Sequence, residues 1–107
     1  MMDFFETHDY LICPTASIPP FPVEQRYVTE IDGFPCETYI DWFSITFAVT
    51  MTSCPVISLP CGFTEDGLPV GLQVVGRPRS EGALLKDAAM MEELFGLQDR
   101  LPIDPVG

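Results

Sequence analysis

The chain is short of positive charge. Its 107 residues include five lysines and arginines against sixteen aspartates and glutamates, which gives a net charge of −11. Such an acidic surface is poorly suited to neutralising nucleic-acid phosphates or to binding an anionic membrane. We therefore expect neither a nucleic acid nor a membrane as partner. The composition is typical of a cytoplasmic protein.

Long apolar runs are also missing. No stretch approaches the roughly 18 residues of a membrane-spanning helix, and we expect no signal peptide. Apolar residues nevertheless make up 47% of the sequence, which is too many for a disordered tail despite eleven prolines. At this length the chain corresponds to one domain at most.

Metal-ligating residues are scarce. His8 is the single histidine and the four cysteines form no Cys-x-x-Cys pair, so we expect no metal site and no cofactor. We expect reduced thiols, with Cys54 and Cys61 as small buried hydrophobes, although a disulfide framework is the alternative. His8 precedes Asp9, but adjacent residues on a strand point to opposite faces. We therefore interpret His8 as exposed rather than as half of a catalytic pair.

Residues 55–78 predict a β-hairpin. Residues 56–59 and 70–75 are short apolar runs rich in β-branched side chains. Asp66 and Gly67 between them tolerate positive φ, as a hairpin turn requires. Because the connection is longer than two residues, we expect a bulge or a wider turn.

Prolines and glycines mark the boundaries of this hairpin. Pro60 and Pro69 have no amide donor, so we expect them at strand ends or on a sheet edge. Gly71 and Gly76 predict places where the strand bends or where another group closely approaches the backbone.

Two helices are predicted. Ser80 is a suitable N-cap for the second, Glu81 a favourable first-turn anion and Gly96 a suitable terminator. Its apolar stripe consists of Leu84, Leu85, Ala88, Met91, Leu94 and Phe95. The first helix is predicted over residues 39–49 from aromatic spacing, with Thr38 or Asp41 as cap, although β-branched content there favours a strand.

The remaining segments are predicted to be short or irregular. Residues 1–7 resemble the last turns of a helix, so we expect the chain to be cut from a longer domain. Residues 10–13 predict a brief strand, and the proline-rich residues 16–35 predict a long loop. Such a loop usually has a function or covers another part of the protein. Residues 97–107 are predicted to be irregular.

In order, these segments match the pattern of a known enzyme family. The chain reads Asp-Tyr-Leu-Ile-Cys-Pro-Thr at 9–15, Asp-Trp at 41–42, Ser-Leu-Pro-Cys-Gly-Phe at 58–63 and Gly-Leu-Pro-Val-Gly-Leu-Gln-Val-Val-Gly-Arg-Pro at 67–78. This set resembles the C-terminal portion of the amidase signature hydrolases, which cleave carboxamides. The resemblance implies an α/β fold: the C-terminal fragment of an α/β/α sandwich, with a short strand, a β-hairpin and two or three helices. Residues 1–107 would then form a single incomplete domain.

The catalytic residues of that family are not found in the sequence. The resemblance implies a Gly/Ser-rich stretch that supplies a nucleophilic serine, a second serine in a cis peptide and a lysine base. Here Lys86 is the single lysine, on a helix where a solvated role is expected, and no serine has a Gly/Ser-rich context. We assign no catalytic residue, and whether the chain is an enzyme stays open.

The resemblance implies a role in substrate binding instead. Trp42, Phe43 and Thr50 are predicted to wall the substrate channel of the complete enzyme, with core packing as the alternative for the aromatic pair. Thr50 and Ser53 replace an asparagine and a glycine that are usual in the family, which leaves the substrate class open. Asp41 is interpreted as a helix cap rather than as a channel residue.

Two hypotheses of different class follow. In the first, the chain is a structural segment of an amidase-like hydrolase of carboxamide C–N bonds and is inactive alone. In the second, it is a non-catalytic scaffold that hides an open sheet edge by self-association. The expected partner is the remainder of the amidase domain or a second copy of the chain.

Overall fold

The fold is given by a computed structural model that describes residues 1–100. Within that range the strands and α-helices are β1 (Leu11–Pro14), β2 (Glu30–Ile31), β3 (Phe34–Pro35), α1 (Ser44–Thr50), β4 (Val56–Phe63), β5 (Pro69–Val75) and α2 (Glu81–Phe95). Short 3-10 helices span Phe4–Glu6 and Asp41–Phe43. Residues 101–107 of the predicted irregular tail lie outside the described residues.

A three-stranded antiparallel sheet in the order β1-β5-β4 forms the centre of the structure. β4 and β5 form the predicted hairpin, with Ile57 opposite Val74. On the other side of β5, Ile12 of β1 also lies opposite Val74. The mixture of sheet and helices confirms the predicted α/β class.

The hairpin is longer than its apolar runs predict. β4 continues through Pro60, which an edge strand tolerates because the missing amide donor costs no ladder hydrogen bond there. A register shift around Cys61 marks a bulge. The turn is closed by hydrogen bonds of 2.8 and 3.0 Å between Thr64 and Leu68, and Gly67 has a φ of +81°. Both expected irregularities, the bulge and the wide turn, are present.

α2 covers one face of the sheet. Its Leu84 and Ala88 are buried and form the core with Leu59 and Val74. Burial of an aliphatic side chain of leucine size contributes roughly 1.5–3 kcal/mol. This packing is the main apolar contact that holds the helix on the sheet.

The predicted apolar stripe of α2 is wider than the face it buries. Met91 and Phe95 pack partly buried against the core, whereas Leu85 is 59% exposed and Leu94 is 85% exposed. At about 100° per residue, these two leucines lie on opposite flanks of the buried line. A three-stranded sheet is too narrow to cover both flanks.

Ser80 and Gly96 lie at the predicted ends of α2, but Ser80 does not make a side-chain capping hydrogen bond. Gly96 follows the helix in the left-handed conformation, with a φ of +62°. Ser80 occupies the N-cap position, but its hydroxyl donates 2.6 Å to the Arg77 carbonyl instead of accepting from the helix. A Cβ at Gly76 would lie 3.2 Å from Ser80 Oγ, so Gly76 marks the predicted close approach.

The N-terminal third contains a helical turn within the predicted residues 1–7 and a hairpin that was not predicted. Phe5 is buried in the first 3-10 helix, and the Arg77 guanidinium donates a hydrogen bond to its carbonyl. The predicted long loop over residues 16–35 contains a small hairpin, formed by β2 and β3. Its two-residue turn is Asp32-Gly33, both at positive φ, which fits a type I′ turn.

The predicted helix over residues 39–49 is a 3-10 helix at Asp41–Phe43 followed by α1, which begins at Ser44. The Asp41 carboxylate accepts a 2.7 Å hydrogen bond from the Thr38 amide, which precedes the helical residues. Neither the 3-10 helix nor α1 has a side-chain cap hydrogen bond, so the predicted capping by Thr38 or Asp41 is not observed. After α1, Ser53 has a φ of +55°, although serine has no glycine-like freedom there. All four cysteines are free thiols, but Cys54 and Cys61 are half-buried rather than fully buried.

Candidate substrate-binding cleft

A cleft of about 600 Å³ lies on the sheet face opposite α2. This face is identified by Gly71, which lies three positions before the α2-facing Val74 on β5 and therefore on the other side of the sheet. The lining residues are Pro14, Thr15, Ala16, Ser17, Ile18, Pro19, Pro20, Phe21, Trp42, Thr64, Pro69, Val70 and Gly71. None of these side chains is ionisable, so the cleft is apolar with a few hydroxyl groups.

Trp42 anchors the aromatic wall of the cleft. Phe21 meets it edge to face at a ring distance of 5.6 Å, and Phe43 and Tyr39 pack against it at 5.6 and 6.0 Å. Edge-to-face pairs of this kind stabilise a site by roughly 0.5–1.5 kcal/mol each beyond area burial. The indole therefore packs against three aromatic rings.

The indole N–H of Trp42 is the unusual polar group of the site. Its Nε1 atom is buried and has no acceptor among residues 1–100. Leaving such a donor unpaired costs about 1–3 kcal/mol, so buried donors are nearly always satisfied. Within the described part of the chain, this donor is buried and unpaired.

The three predicted channel residues have different positions. Trp42 lines the cleft, Phe43 packs behind it, and Thr50 lies exposed on α1, where its hydroxyl donates 2.9 Å to the Thr46 carbonyl. The structure therefore brings Trp42 and Phe43 together but leaves Thr50 outside the cleft lining. Their role in substrate binding remains a prediction.

The sequence analysis missed a hydroxyl pair beside the cleft. Thr15 Oγ1 and Ser58 Oγ lie 2.6 Å apart above Gly71. A Cβ at Gly71 would be only 2.9 Å from Thr15 Oγ1, so the glycine makes room for the pair. Thr15 is further fixed because the Thr46 hydroxyl donates 3.0 Å to its carbonyl. The available signal was the Pro-Thr dipeptide at the end of β1, which is part of the family pattern.

Other groups with catalytic potential lie away from the cleft. Lys86 is exposed on α2, which packs on the opposite face of the sheet. His8 is exposed, as predicted: its ring stacks on Phe4 at 4.4 Å, and its Nδ1 lies 2.9 Å from Thr7 Oγ1. No group of three His, Cys, Asp or Glu residues between positions 1 and 100 is placed to hold a metal ion.

Among residues 1–100, the pKa values of Tyr10 and Asp41 are shifted, and both residues lie outside the cleft lining. The Tyr10 hydroxyl donates 2.5 Å to the Asp87 carboxylate, and this hydrogen bond, with burial, raises the pKa of Tyr10 to about 12. The hydrogen bond from the Thr38 amide lowers the pKa of Asp41. Both shifts result from structural contacts and not from a nucleophile–base arrangement.

Comparison with known proteins establishes the family. The amidase family model matches residues 1–85. The chain is 42% identical over 90 residues to a glutamyl-tRNA(Gln) amidotransferase subunit from Thermodesulfovibrio yellowstonii, covering 83% of this chain and 17% of that protein. It is 35% identical over 102 residues to an acylamidase of Rhodococcus erythropolis, covering 94% of this chain and 21% of that protein. The chain belongs to the amidase family.

The fold is also that of the family. The crystal structure of a bacterial aryl acylamidase of the amidase signature enzymes matches with a TM-score of 0.66 at 21% identity, over 96% of this chain and 23% of that chain. The predicted family and α/β fold are therefore confirmed. The chain spans about a fifth of the length of the relatives it matches. Within residues 1–100, no helix is long and apolar enough to cross a membrane.

Proposed function

We propose that this chain forms one wall of the substrate channel in an amidase that hydrolyses the C–N bond of carboxamides, and that it is catalytically inert alone. Family membership supports the reaction class. The remainder of the amidase domain would supply the nucleophile and its base.

The observation that carries this proposal is that Lys86, the single lysine, lies on the opposite face of the sheet from the cleft. The cleft provides apolar walls and hydroxyl groups, whereas the exposed Lys86 lies on α2, across the sheet. A nucleophile and its base must lie within hydrogen-bond reach, roughly 2.6–3.2 Å. The described residues thus offer a place for a substrate but no pair to attack it.

A chimaera tests this proposal. The matching region of the Rhodococcus erythropolis acylamidase is replaced by this chain, and hydrolysis of an anilide is measured against the isolated chain and the truncated acylamidase. We expect turnover by the chimaera and none by either part. The proposal is wrong if the isolated chain turns over substrate and Lys86→Ala abolishes that activity, or if the chimaera folds but stays inactive.

Exposed apolar groups at the sheet edges favour a second candidate, a self-associating scaffold. β1 and β4 are the outer strands of the main sheet, with Ile12 50% exposed and Val56 39% exposed. On and beside α1, Phe47 is 53% exposed and Met51 is 70% exposed. An open edge beside apolar surface invites pairing with another chain. Light scattering of the folded chain tests this: a strictly monomeric species counts against the scaffold.

The partner and the location belong to the same proposal. The partner is the remainder of the amidase domain in the first candidate and a second copy of the chain in the other. We place the protein in the cytoplasm, because four free thiols are typical of a reducing compartment.

A further inference from the structure

We infer that the Thr15 hydroxyl, with the Ser58 hydroxyl behind it, accepts a hydrogen bond from the amide N–H of the substrate and so makes the channel wall favour amides over esters. This role rests on the proposed function, because it concerns the same wall of the same channel. It makes Thr15 a specificity-determining residue and Ser58 a positioning residue that acts through it.

Thr15 is fixed in place at the edge of the cleft. Its amide donates 3.1 Å to the Gly71 carbonyl, and its carbonyl accepts a 3.0 Å hydrogen bond from the Thr46 hydroxyl. The carbonyl of the preceding Pro14 accepts a 3.0 Å hydrogen bond from the side-chain amide of Gln73, a residue that is 4% exposed. Because threonine is β-branched, its χ1 angle is restricted as well. A hydroxyl held in this way loses little freedom when a ligand binds to it.

The hydroxyl pair keeps hydrogen-bonding capacity that a ligand can reach. Thr15 lines the cleft and is half-buried, while Ser58 is exposed beside it. Two hydroxyl groups together have two donors and four lone pairs, and the 2.6 Å bond between Thr15 Oγ1 and Ser58 Oγ uses one of each. When Thr15 donates to Ser58, its own lone pairs can accept from the cleft. An N–H group that donates to Thr15 then forms a chain of two hydrogen bonds, which strengthen each other by polarisation.

The geometry of an amide matches its N–H to this acceptor. In a trans amide, the N–H and the carbonyl oxygen lie on opposite sides of a planar group. Hydrolysis requires donors at the carbonyl oxygen, close to the nucleophile, and in the proposed function the remainder of the domain supplies both. The channel wall on the other side meets the nitrogen, whose N–H needs an acceptor in an apolar cleft. An ester has an oxygen at that position and cannot donate to Thr15.

Binding to the wild-type chain tests the selectivity directly. The folded ¹⁵N-labelled chain is titrated with N-butylbutanamide and with butyl butanoate, two neutral ligands of the same length that differ at the N–H position. The backbone amide resonances of Thr15 and Gly71 are followed. We expect saturable shifts with the amide and roughly tenfold weaker binding of the ester, which corresponds to one net hydrogen bond. Equal affinity for the two ligands, or no saturable shift with the amide, would overturn the role of Thr15.

Kinetics of the chimaera described above test the residue itself. The measured quantity is kcat/KM for acetanilide divided by kcat/KM for phenyl acetate, so that a loss of folded enzyme cancels. Thr15→Val keeps the branched shape without the hydroxyl and should lower this ratio roughly tenfold, whereas Thr15→Ser should retain most of it. Thr7→Val is the matched control, because the Thr7 hydroxyl lies outside the cleft lining, and it should leave the ratio unchanged.

Ser58→Ala tests whether Ser58 acts through Thr15. It should lower the ratio less than Thr15→Val does, and adding it to Thr15→Val should change the ratio no further, because residues in one hydrogen-bond network are not additive. Additive losses would overturn the positioning role of Ser58. An inactive chimaera, with amide-selective binding by the chain, would refute the proposed function and leave the role of Thr15 intact. An active chimaera whose ratio is unchanged by Thr15→Val would refute the role of Thr15 alone.

Discussion

Substitution of Gly71 by alanine should destabilise the fold by about 2 kcal/mol. The added Cβ would lie 2.9 Å from Thr15 Oγ1, a distance that real Cβ contacts essentially never show, and 3.1 Å from Ser58 Oγ, which is tighter than most. Thr15 cannot move aside easily, because it is β-branched and its amide donates 3.1 Å to the Gly71 carbonyl. The substitution therefore breaks the 2.6 Å hydroxyl pair or pushes β1 away from β5.

Urea unfolding followed by Trp42 fluorescence measures this change. The control is Gly82→Ala in the first turn of α2, where nothing lies within 4 Å of the new Cβ and alanine should stabilise by up to about 1 kcal/mol. Adding Thr15→Ala to Gly71→Ala removes the closest atom and should recover part of the loss. A Gly71→Ala chain within about 0.5 kcal/mol of wild type would refute the steric argument.

Three further substitutions test other contacts, each by urea unfolding. Tyr10→Phe should lower the free energy of unfolding by about 1 kcal/mol at neutral pH. Because folding raises the pKa of Tyr10 from 10.0 to about 12, the stability of the wild-type chain should fall as the pH rises from 10 to 12. The Tyr10→Phe chain should lack this pH dependence. Ser53→Gly should stabilise by up to about 1 kcal/mol, because φ is +55° there; destabilisation would contradict a strained serine. Leu84→Ala should cost roughly 2–5 kcal/mol and Leu94→Ala, at an 85% exposed position, less than about 0.5; equal effects would contradict the assigned core.

The fold could be predicted where the spacing of apolar residues and the turn or capping residues indicate the same element. The hairpin and α2 followed from apolar runs bounded by Asp66-Gly67, Ser80 and Gly96. The β2–β3 hairpin was missed, although Asp32-Gly33 carries the same turn signal, because its strands are only two residues long. Strands of two residues are too short to show an alternation of apolar and polar side chains.

The candidate site was predicted less completely than the fold. Trp42 was identified as a channel residue and does line the cleft, whereas Thr50 does not. Thr15 and Ser58 lie 43 positions apart, and only the pairing of both outer strands with β5 brings their hydroxyls together. No local pattern encodes such a contact. This hydroxyl pair therefore depends on the register of the strands, which cannot be predicted from the spacing of residues in the sequence.

The aromatic residues of the cleft lie outside the segments that form the main sheet. β1 and β4 flank β5, so residues 16–53 leave the sheet after Pro14, opposite Leu72, and return to it at Val56, opposite Val75. Residues 16–53 contain Phe21 and Trp42, whereas the strands of the main sheet and the core residues beneath α2 lie outside this segment. Substitutions, insertions or exchanges within residues 16–53 can therefore reshape the cleft while the pairing of β1, β4 and β5 stays the same. In this segment of the amidase fold, the shape of the cleft and the pairing of the strands are set by different residues.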